Sequence, residues 1–291
     1  MFNYRRGLIV VFAACLLGAA TGESAEIRID PSRGQGVGAV FEGRIEAGDF
    51  DRLKTFLLDG PGATEIYLAS PGGDLAEAVR IGRLVRFLKL STVIPSKALT
   101  HESRESAAER HDLKNPKANY TCASACFFVF VADIHRGHDN LGPPILGIHR
   151  PALSGTVAKA LSLNQVDAVN DQMRTAIGHY LNEMGVPLKY ADNMFTMPPK
   201  GMRWIRNDEF EHDLAGYIPD LRDQLDALCD KRVDLERENA GTKNQSNAEA
   251  PTAEQPVTRI QEQLNCERRV QDELALHARE SALKIRDSTR P

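Results

Sequence analysis

Several features that would place a protein in a common functional class are absent from this sequence. It has no basic surplus, because 36 Lys+Arg stand against 40 Asp+Glu and the formal net charge is -4. Nucleic-acid-binding domains usually carry such a surplus, so we expect no nucleic-acid partner. No internal repeat covers the chain, and its most apolar run, residues 7–20, is short for a membrane span. The chain has 291 residues, of which 42% are hydrophobic, and this composition is typical of a globular protein of one or two domains.

The N-terminus has the layout of a secretory signal peptide. A short basic region, "MFNYRR", precedes the apolar run, and small residues follow at Ala20, Gly22 and Ala25. We therefore expect residues 1–25 to be a cleaved signal peptide and the mature protein to be periplasmic or secreted. The alternatives are an uncleaved membrane anchor and a lipoprotein site at Cys15, which has a short apolar stretch before it.

Cysteine is scarce, and its count fits an exported protein. Loss of Cys15 with the signal peptide leaves Cys122, Cys126, Cys229 and Cys266. Export leads to an oxidising compartment, and an even number of cysteines is compatible with disulfides. Four cysteines allow three pairings, so the count alone leaves the pairing open.

Predicted strands and helices alternate through the first part of the chain. A helix is predicted where apolar residues recur every three or four positions, and a strand where a short apolar run ends in a turn signal. Such alternation implies βαβ units and a largely parallel sheet, which is an α/β fold class. The segments, in order, are strand 38–46, helix 49–59, strand 64–70, helix 75–89 and strand 90–95.

The pattern then breaks at a polar insertion over 96–119, which is long for a loop inside a compact domain. After it come a core segment, "YTCASACFFVFVAD", an apolar strand, "PPILGIHRP", and an amphipathic helix over 163–185. Past about Pro219 the chain becomes charged and helix-favouring. We therefore predict one domain over 26–220 and a helical tail over 221–291, with a disordered linker at about 239–256.

Three short stretches contain residues suited to nucleophilic catalysis. "SPGGD", residues 70–74, joins a strand to a helix, and its glycines would let a ligand approach the backbone closely. Ser124 lies between two alanines in "TCASAC", where a helix N-cap is the simpler interpretation. His149 ends an apolar strand in "LGIHRP", where a buried structural histidine is the simpler interpretation. Each stretch is weak evidence alone, and their order and spacing carry the argument.

That order resembles the proteolytic subunit of the Clp protease, within the wider fold shared with signal peptide peptidases and crotonases. "EIYLASPGGDLAEAVRIGRLVR" looks like the family's oxyanion-hole strand and helix, and "YTCASACFFVFVAD" looks like its nucleophile segment. "LGIHRP" resembles its histidine strand, and "WIRNDEFEHDLAGYIPD" resembles its closing helix and final strand. The resemblance covers roughly residues 38–220 and implies a ClpP/crotonase-like ββα superhelix with a helical C-terminal extension.

The resemblance also implies a role for each residue that matches a motif position. Ser124 matches the nucleophile and His149 the general base, and the backbone N–H groups of Gly73 and Ala125 match the oxyanion donors. Asp192 in "YADNMF" is the best match for the third member of the triad, although "MPPKG", which the family pattern lacks, intervenes. The other candidates for the acid are Asp171 and Asp208.

The implied function is that of an exported serine hydrolase, most simply a peptidase acting on peptides or proteins, and a homo-oligomer. The family's ATPase partner is cytosolic, so none is expected here. A crotonase-type reaction needs coenzyme A, which is not expected outside the cytoplasm, so we expect no cofactor. We also predict no metal site. Two alternatives remain: a non-catalytic binding or scaffold protein that assembles through its helical tail, and a serine–lysine dyad using Lys97 or Lys200.

Three structural expectations follow for the parts that depart from the family pattern. The insertion over 96–119 is expected to act as a flexible lid over Ser124. A Cys122–Cys126 disulfide would clamp the nucleophile turn, because the two α-carbons would be about 5 to 7 Å apart if Ser124 starts a helix. A Cys229–Cys266 disulfide would staple the two halves of the tail. For each pair, free thiols are the alternative.

Overall fold

The computed structural model describes residues 24–30, 38–94, 121–138, 146–153, 159–198, 201–230 and 255–289. Several sequence-based predictions therefore lie outside the described residues: nearly all of the signal peptide, the insertion with Lys97, Lys200, and nearly all of the tail linker. The chain divides into two compact units, Met1–Gly216 and Tyr217–Pro291.

The first unit is a mixed α/β structure, as the alternation of apolar patterns predicts. Both helices predicted between residues 49 and 89 are present, and each is followed by a short strand. The elements, in chain order, are β1 (Glu26–Asp30), β2 (Gly38–Glu42), α1 (Asp49–Asp59), β3 (Glu65–Ala69), α2 (Leu75–Phe87), β4 (Ser91–Ile94), β5 (Cys122–Ala123), α3 (Ala125–Phe130), β6 (His135–His138), β7 (Leu146–His149), α4 (Leu163–Glu183), α5 (Lys189–Thr196), β8 (Met202–Trp204) and α6 (Asn207–Asp213). Strand β9 (Gly216–Tyr217) begins at the last residue of this unit.

The strands form two sheets. The larger has the order β1-β2-β3-β4-β6-β9, and the smaller has the order β5-β7-β8. Strands β2, β3, β4 and β6 pair in parallel, which confirms the parallel sheet expected from the sequence. Strand β1, which the sequence analysis did not identify, pairs antiparallel with β2. In the smaller sheet β5 and β7 are parallel and β8 runs antiparallel to β7.

Helix α2 is anchored at its N-terminus, directly after the glycine turn. The Asp74 side chain caps the helix by accepting the Glu77 N–H at 3.0 Å. The buried Glu77 carboxylate in turn accepts the N–H groups of Gly48 and Phe50, both at 3.1 Å, at the start of α1. A carboxylate near helix N-termini is favourable because it satisfies N–H groups that have no partner within the helix. The start of α2 is thus tied to the start of α1.

Helix α3, which follows Ser124, is a short helix with all six residues buried. Its sequence, "ACFFVF", has no polar face, so it can be stable only inside the core. The Tyr180 hydroxyl on α4 donates to the Phe128 carbonyl at 2.6 Å, and its ring packs on the Phe128 ring at 5.8 Å between centroids. These contacts fix the helix whose first residue follows Ser124.

A buried polar cluster fixes the other end of α3. Asp133 accepts the Thr92 N–H at 2.6 Å and the Thr92 hydroxyl at 2.7 Å. Arg136 donates to the carbonyls of Val131 and Met184. Burial raises the pKa of the Asp133 carboxyl to about 7, a shift that its hydrogen bonds to Thr92 oppose. The cluster joins the segment after α3 to β4.

The second unit is helical. The chain is helical over 219–230 and again over α7 (Gln255–Ser288). A disulfide joins Cys229 to Cys266, with 5.6 Å between their α-carbons, as expected for the tail staple. Closing a loop with a sequence separation of 37 stabilises the folded state by about 4 kcal/mol in the chain-entropy model. Among the described residues, no helix has both the length and the apolar composition needed to cross a bilayer.

Candidate active site

Ser124 lies on a strained turn between β5 and α3. Its φ of 58° and ψ of -122° lie outside the conformations that non-glycine residues normally adopt. Ser124 does occupy the N-cap position of α3, but its side chain makes no capping hydrogen bond. The simple capping interpretation therefore does not hold, and the hydroxyl is available for another partner. Strained strand-to-helix turns of this kind present a nucleophilic serine in many hydrolases.

That partner is His149. The Ser124 Oγ and the His149 Nε2 are 2.5 Å apart, a short hydrogen bond. The backbone supports the contact, because the Ser124 N–H donates to the Gly147 carbonyl at 2.8 Å on the strand that ends at His149. The parallel pairing of β5 with β7 thus brings together two side chains that are 25 positions apart.

The glycine turn packs against the same serine. The Ser70 N–H donates to the Thr121 carbonyl at 2.8 Å, and the Ala123 N–H donates to the Ser70 carbonyl at 3.0 Å. The Ser70 hydroxyl accepts the Gly72 N–H at 3.1 Å, which shapes the turn. These bonds hold the segment before Ser124 alongside the start of "SPGGD".

Both glycines of the turn are required by close backbone contacts. A β-carbon on Gly72 would lie 2.5 Å from the Ser124 β-carbon and 2.8 Å from the Ala125 nitrogen. A β-carbon on Gly73 would lie 2.0 Å from the Ile45 carbonyl oxygen. Their φ values of +96° and +148° are also ones that side chains disfavour. Gly72 is therefore a site residue that the sequence analysis missed, although it lies in the stretch that was singled out.

The backbone N–H groups of Gly73 and Ala125, the predicted oxyanion donors, have no acceptor among the described residues. On either side of Gly73, the Gly72 carbonyl and the Asp74 N–H are bonded to Ile45, which leaves the Gly73 N–H unused. Ala125 is the first residue of α3, where N–H groups have no partner within the helix. Their role as oxyanion donors stays a prediction.

The structure does not bring the predicted acid to His149. Asp192 lies in the first turn of α5, with its side chain 58% exposed, and forms an ion pair with Arg174 at 2.5 Å. The His149 Nδ1 is instead 2.6 Å from the carbonyl oxygen of Arg150. Nδ1 therefore has a main-chain acceptor as its hydrogen-bond partner.

The other two candidate acids are also placed elsewhere. Asp208 pairs with Arg206 at 2.9 Å, and both side chains are exposed. Asp171 is an exposed residue of α4. Within the described ranges, no carboxylate is hydrogen-bonded to His149, and no group of three His, Cys, Asp or Glu residues could hold a metal ion.

A disulfide brackets the serine. Cys122 and Cys126 are bonded, with their α-carbons 5.2 Å apart, within the range expected from the sequence. Cys122 is the first residue of β5 and Cys126 lies in the first turn of α3, so the bond spans the turn that presents Ser124. Both cysteines are fully buried.

Similarity of this chain to known proteins is found among solved structures. No protein-family model matches it, and no curated protein matches it. Among solved structures it is similar to that of a ClpP1 mutant from Listeria monocytogenes, at 15% sequence identity and a TM-score of 0.36. That match covers 60% of this chain and 85% of the other chain. At 15% identity and a TM-score of 0.36 this similarity carries no functional argument, and the function is inferred from the geometry of the site.

Proposed function

We propose that this protein is a serine hydrolase that acts on peptides or proteins, with Ser124 as nucleophile and His149 as general base. The observation that carries the proposal is the 2.5 Å contact between Ser124 Oγ and His149 Nε2 on a turn with positive φ. A serine hydroxyl is a weak nucleophile until a base accepts its proton, and here the base is already in contact with it.

The proposed reaction uses only groups of this chain and water. His149 accepts the Ser124 proton at Nε2 while Oγ attacks the substrate carbonyl, and the oxyanion forms beside the Gly73 and Ala125 N–H groups. The tetrahedral intermediate collapses to an acyl-serine as His149 gives the proton to the leaving amine. Water, deprotonated by His149, then attacks the acyl carbon, and the C–Oγ bond breaks to release the acid product as His149 returns the proton to Ser124. Each such N–H donor contributes about 3 to 4 kcal/mol to stabilisation of the transition state in related chemistry.

The orientation of His149 is supplied in this structure by a main-chain carbonyl. With its Nδ1 proton donated to the Arg150 carbonyl, the ring holds the tautomer in which Nε2 accepts the serine proton. Pro151 restricts the residue before it to extended conformations, which limits where the Arg150 carbonyl can point. We propose that this contact takes the place that a triad carboxylate occupies in the Clp-like proteases.

The setting proposed for this activity is outside the cytoplasm, after removal of residues 1–25. The two bonded cysteine pairs favour an oxidising compartment, where structural disulfides persist. Assembly into a homo-oligomer without an ATPase partner belongs to the same proposal and follows from the sequence resemblance.

Labelling by a fluorophosphonate probe tests the proposal. We expect wild-type protein to be labelled and the Ser124→Ala variant to remain unlabelled, since the probe bonds only to an activated serine. Ser162→Ala is the matched control, because Ser162 is an exposed serine in the capping box of α4 and its loss should leave labelling intact. Labelling that survives Ser124→Ala, or a wild type that never labels, would favour the non-catalytic scaffold alternative.

Asp192→Asn is expected to change kcat/KM by no more than about fivefold, because it removes an exposed ion pair whose usual value is below about 1 kcal/mol. A triad acid behaves differently, and its loss lowers kcat by roughly 10⁴-fold. Hydrolysis of a p-nitrophenyl ester by the purified variant distinguishes the two cases. A loss near the larger value would show that Asp192 reaches His149 during catalysis.

Reduction of the Cys122–Cys126 disulfide is expected to lower activity reversibly, because the bond spans the strained turn that positions Ser124 and the Ala125 N–H. The measurement is ester turnover under mild reductant and again after reoxidation. A Cys122→Ala/Cys126→Ala variant should be insensitive to redox state. A Cys229→Ala/Cys266→Ala variant, which lacks only the tail disulfide, should respond as the wild type does. Equal activity of oxidised and reduced wild type would leave the cysteine pair with a packing role alone.

A further inference from the structure

Two apolar side chains lie on β8, the strand that pairs with the one ending at His149. In the antiparallel pairing of β7 with β8, His149 is opposite Met202 and Gly147 is opposite Trp204. Directly opposed residues of antiparallel strands share one face of the sheet, and residues two apart along a strand also share a face. Met202 and Trp204 therefore lie on the face from which the His149 side chain projects.

Because Gly147 has no side chain, the Trp204 indole can lie close to strand β7. A β-carbon on Gly147 would lie 2.7 Å from the Trp204 Cζ3 and 3.0 Å from the Met202 sulfur. The ring and the thioether therefore occupy the space directly above a residue whose carbonyl holds the Ser124 N–H. Both side chains thus pack on the strand that ends at His149.

This surface is open to solvent in part. Met202 is 39% exposed, and Trp204 is of intermediate exposure. Exposed large apolar groups are common singly, but here two are adjacent and border a site that has a reactive group. Trp204 is also the chain's single tryptophan, so the tryptophan fluorescence of the protein reports on the surroundings of this one side chain.

We propose that Trp204 and Met202 form the wall that binds an apolar side chain or acyl group attached to the scissile carbonyl. The inference rests on the proposed function, because it defines the substrate class of that same site. Each methylene that the wall removes from water is expected to contribute roughly fourfold to kcat/KM. Substrates with an aliphatic or aromatic group on the carbonyl side should therefore be preferred over those with a small or charged group.

Tryptophan fluorescence tests binding without catalysis. Ser124→Ala protein is titrated with N-acetyl-leucinamide, and separately with N-acetyl-glycinamide at the same concentrations. The leucine compound is expected to give a saturable shift of the emission, and the glycine compound is expected to give none. If neither compound, or both equally, changes the emission, the wall does not select an apolar group and the proposal is overturned.

Ester selectivity tests the same wall during turnover. Four methylenes separate p-nitrophenyl hexanoate from the acetate, and the wild type should prefer the hexanoate by at least about tenfold in kcat/KM. Trp204→Ala and, separately, Met202→Ser should reduce that ratio, by about tenfold for Trp204, while Trp204→Phe should largely retain it. Phe87→Ser is the control, since Phe87 is 51% exposed at the end of α2 farthest from the glycine turn, and the ratio should not change.

The outcomes separate failure of the wall from failure of the proposed function. A ratio unchanged in folded Trp204→Ala and in Met202→Ser would overturn the wall while leaving Ser124 as nucleophile. Turnover that persists in Ser124→Ala would overturn the proposed function, and the fluorescence response would then still decide whether the surface binds apolar groups. If Trp204→Ala does not fold, the ester ratio of Met202→Ser and the fluorescence titration still test the wall.

Discussion

Replacing His149 with alanine is expected to lower kcat/KM for ester substrates by about 10³-fold while the protein stays folded. The loss is large because the Ser124 hydroxyl would have no base in contact with it, and the backbone donors alone would remain. The fold should persist, since His149 is at the end of β7 and its side chain is only partly buried. Steady-state turnover of a p-nitrophenyl ester, with thermal unfolding measured on the same preparations, is the assay.

His179→Ala is the matched control for that variant. His179 is an exposed histidine on α4, so its removal should alter neither turnover nor thermal stability measurably. A His149→Ala variant that keeps activity within about tenfold of the wild type would be incompatible with a general base at this position.

Replacing Gly72 with alanine is expected to reduce kcat/KM by at least about 10²-fold, because a displacement near 1 Å of the reacting group costs that much. The added β-carbon would meet the Ser124 β-carbon at 2.5 Å and the Ala123 carbonyl oxygen at 2.6 Å. These neighbours are held by the β5 pairing and by α3, so the serine turn itself must move. A φ of +96° adds backbone strain of about 1 to 3 kcal/mol for any residue with a side chain.

The prediction for Gly72 is checked by the rate of fluorophosphonate labelling together with the midpoint of thermal unfolding. Gly178→Ala is the control, because that glycine lies in α4 and a β-carbon there would meet only a Leu188 methyl at 4.0 Å. Alanine in a helix interior is more favourable than glycine by about 1 kcal/mol, so this variant should be slightly stabilised and fully active. A Gly72→Ala variant that labels at the wild-type rate would contradict the close packing of the turn on Ser124.

Local sequence patterns were sufficient to identify most elements of the first unit. The periodicity of "DFDRLKTFLLD" and "LAEAVRIGRLVR" matches α1 and α2, because an amphipathic period depends only on nearby residues. Strand β1 had no such signal. It forms an edge strand through antiparallel pairing with β2, and pairing of that kind is decided by a partner elsewhere in the chain.

The same distinction separates the site residues. Ser124 and His149 are identifiable because each lies in a short motif, and the β5–β7 pairing then brings them into contact. The acid had no such motif, and the choice of Asp192 depended on counting along a stretch interrupted by "MPPKG". In the structure that carboxylate accepts a hydrogen bond from Arg174 instead.

The sequence by itself therefore determined the α/β alternation, the glycine turn, and the serine and histidine as candidates, because all of these depend on local spacing and residue type. Only the tertiary structure decided which groups meet. It placed the Arg150 carbonyl at His149 Nδ1, the Gly72 backbone against Ser124, and Trp204 and Met202 opposite Gly147 and His149. The physical reason is that strand register and close packing depend on contacts between residues far apart in the chain, and no local pattern records them.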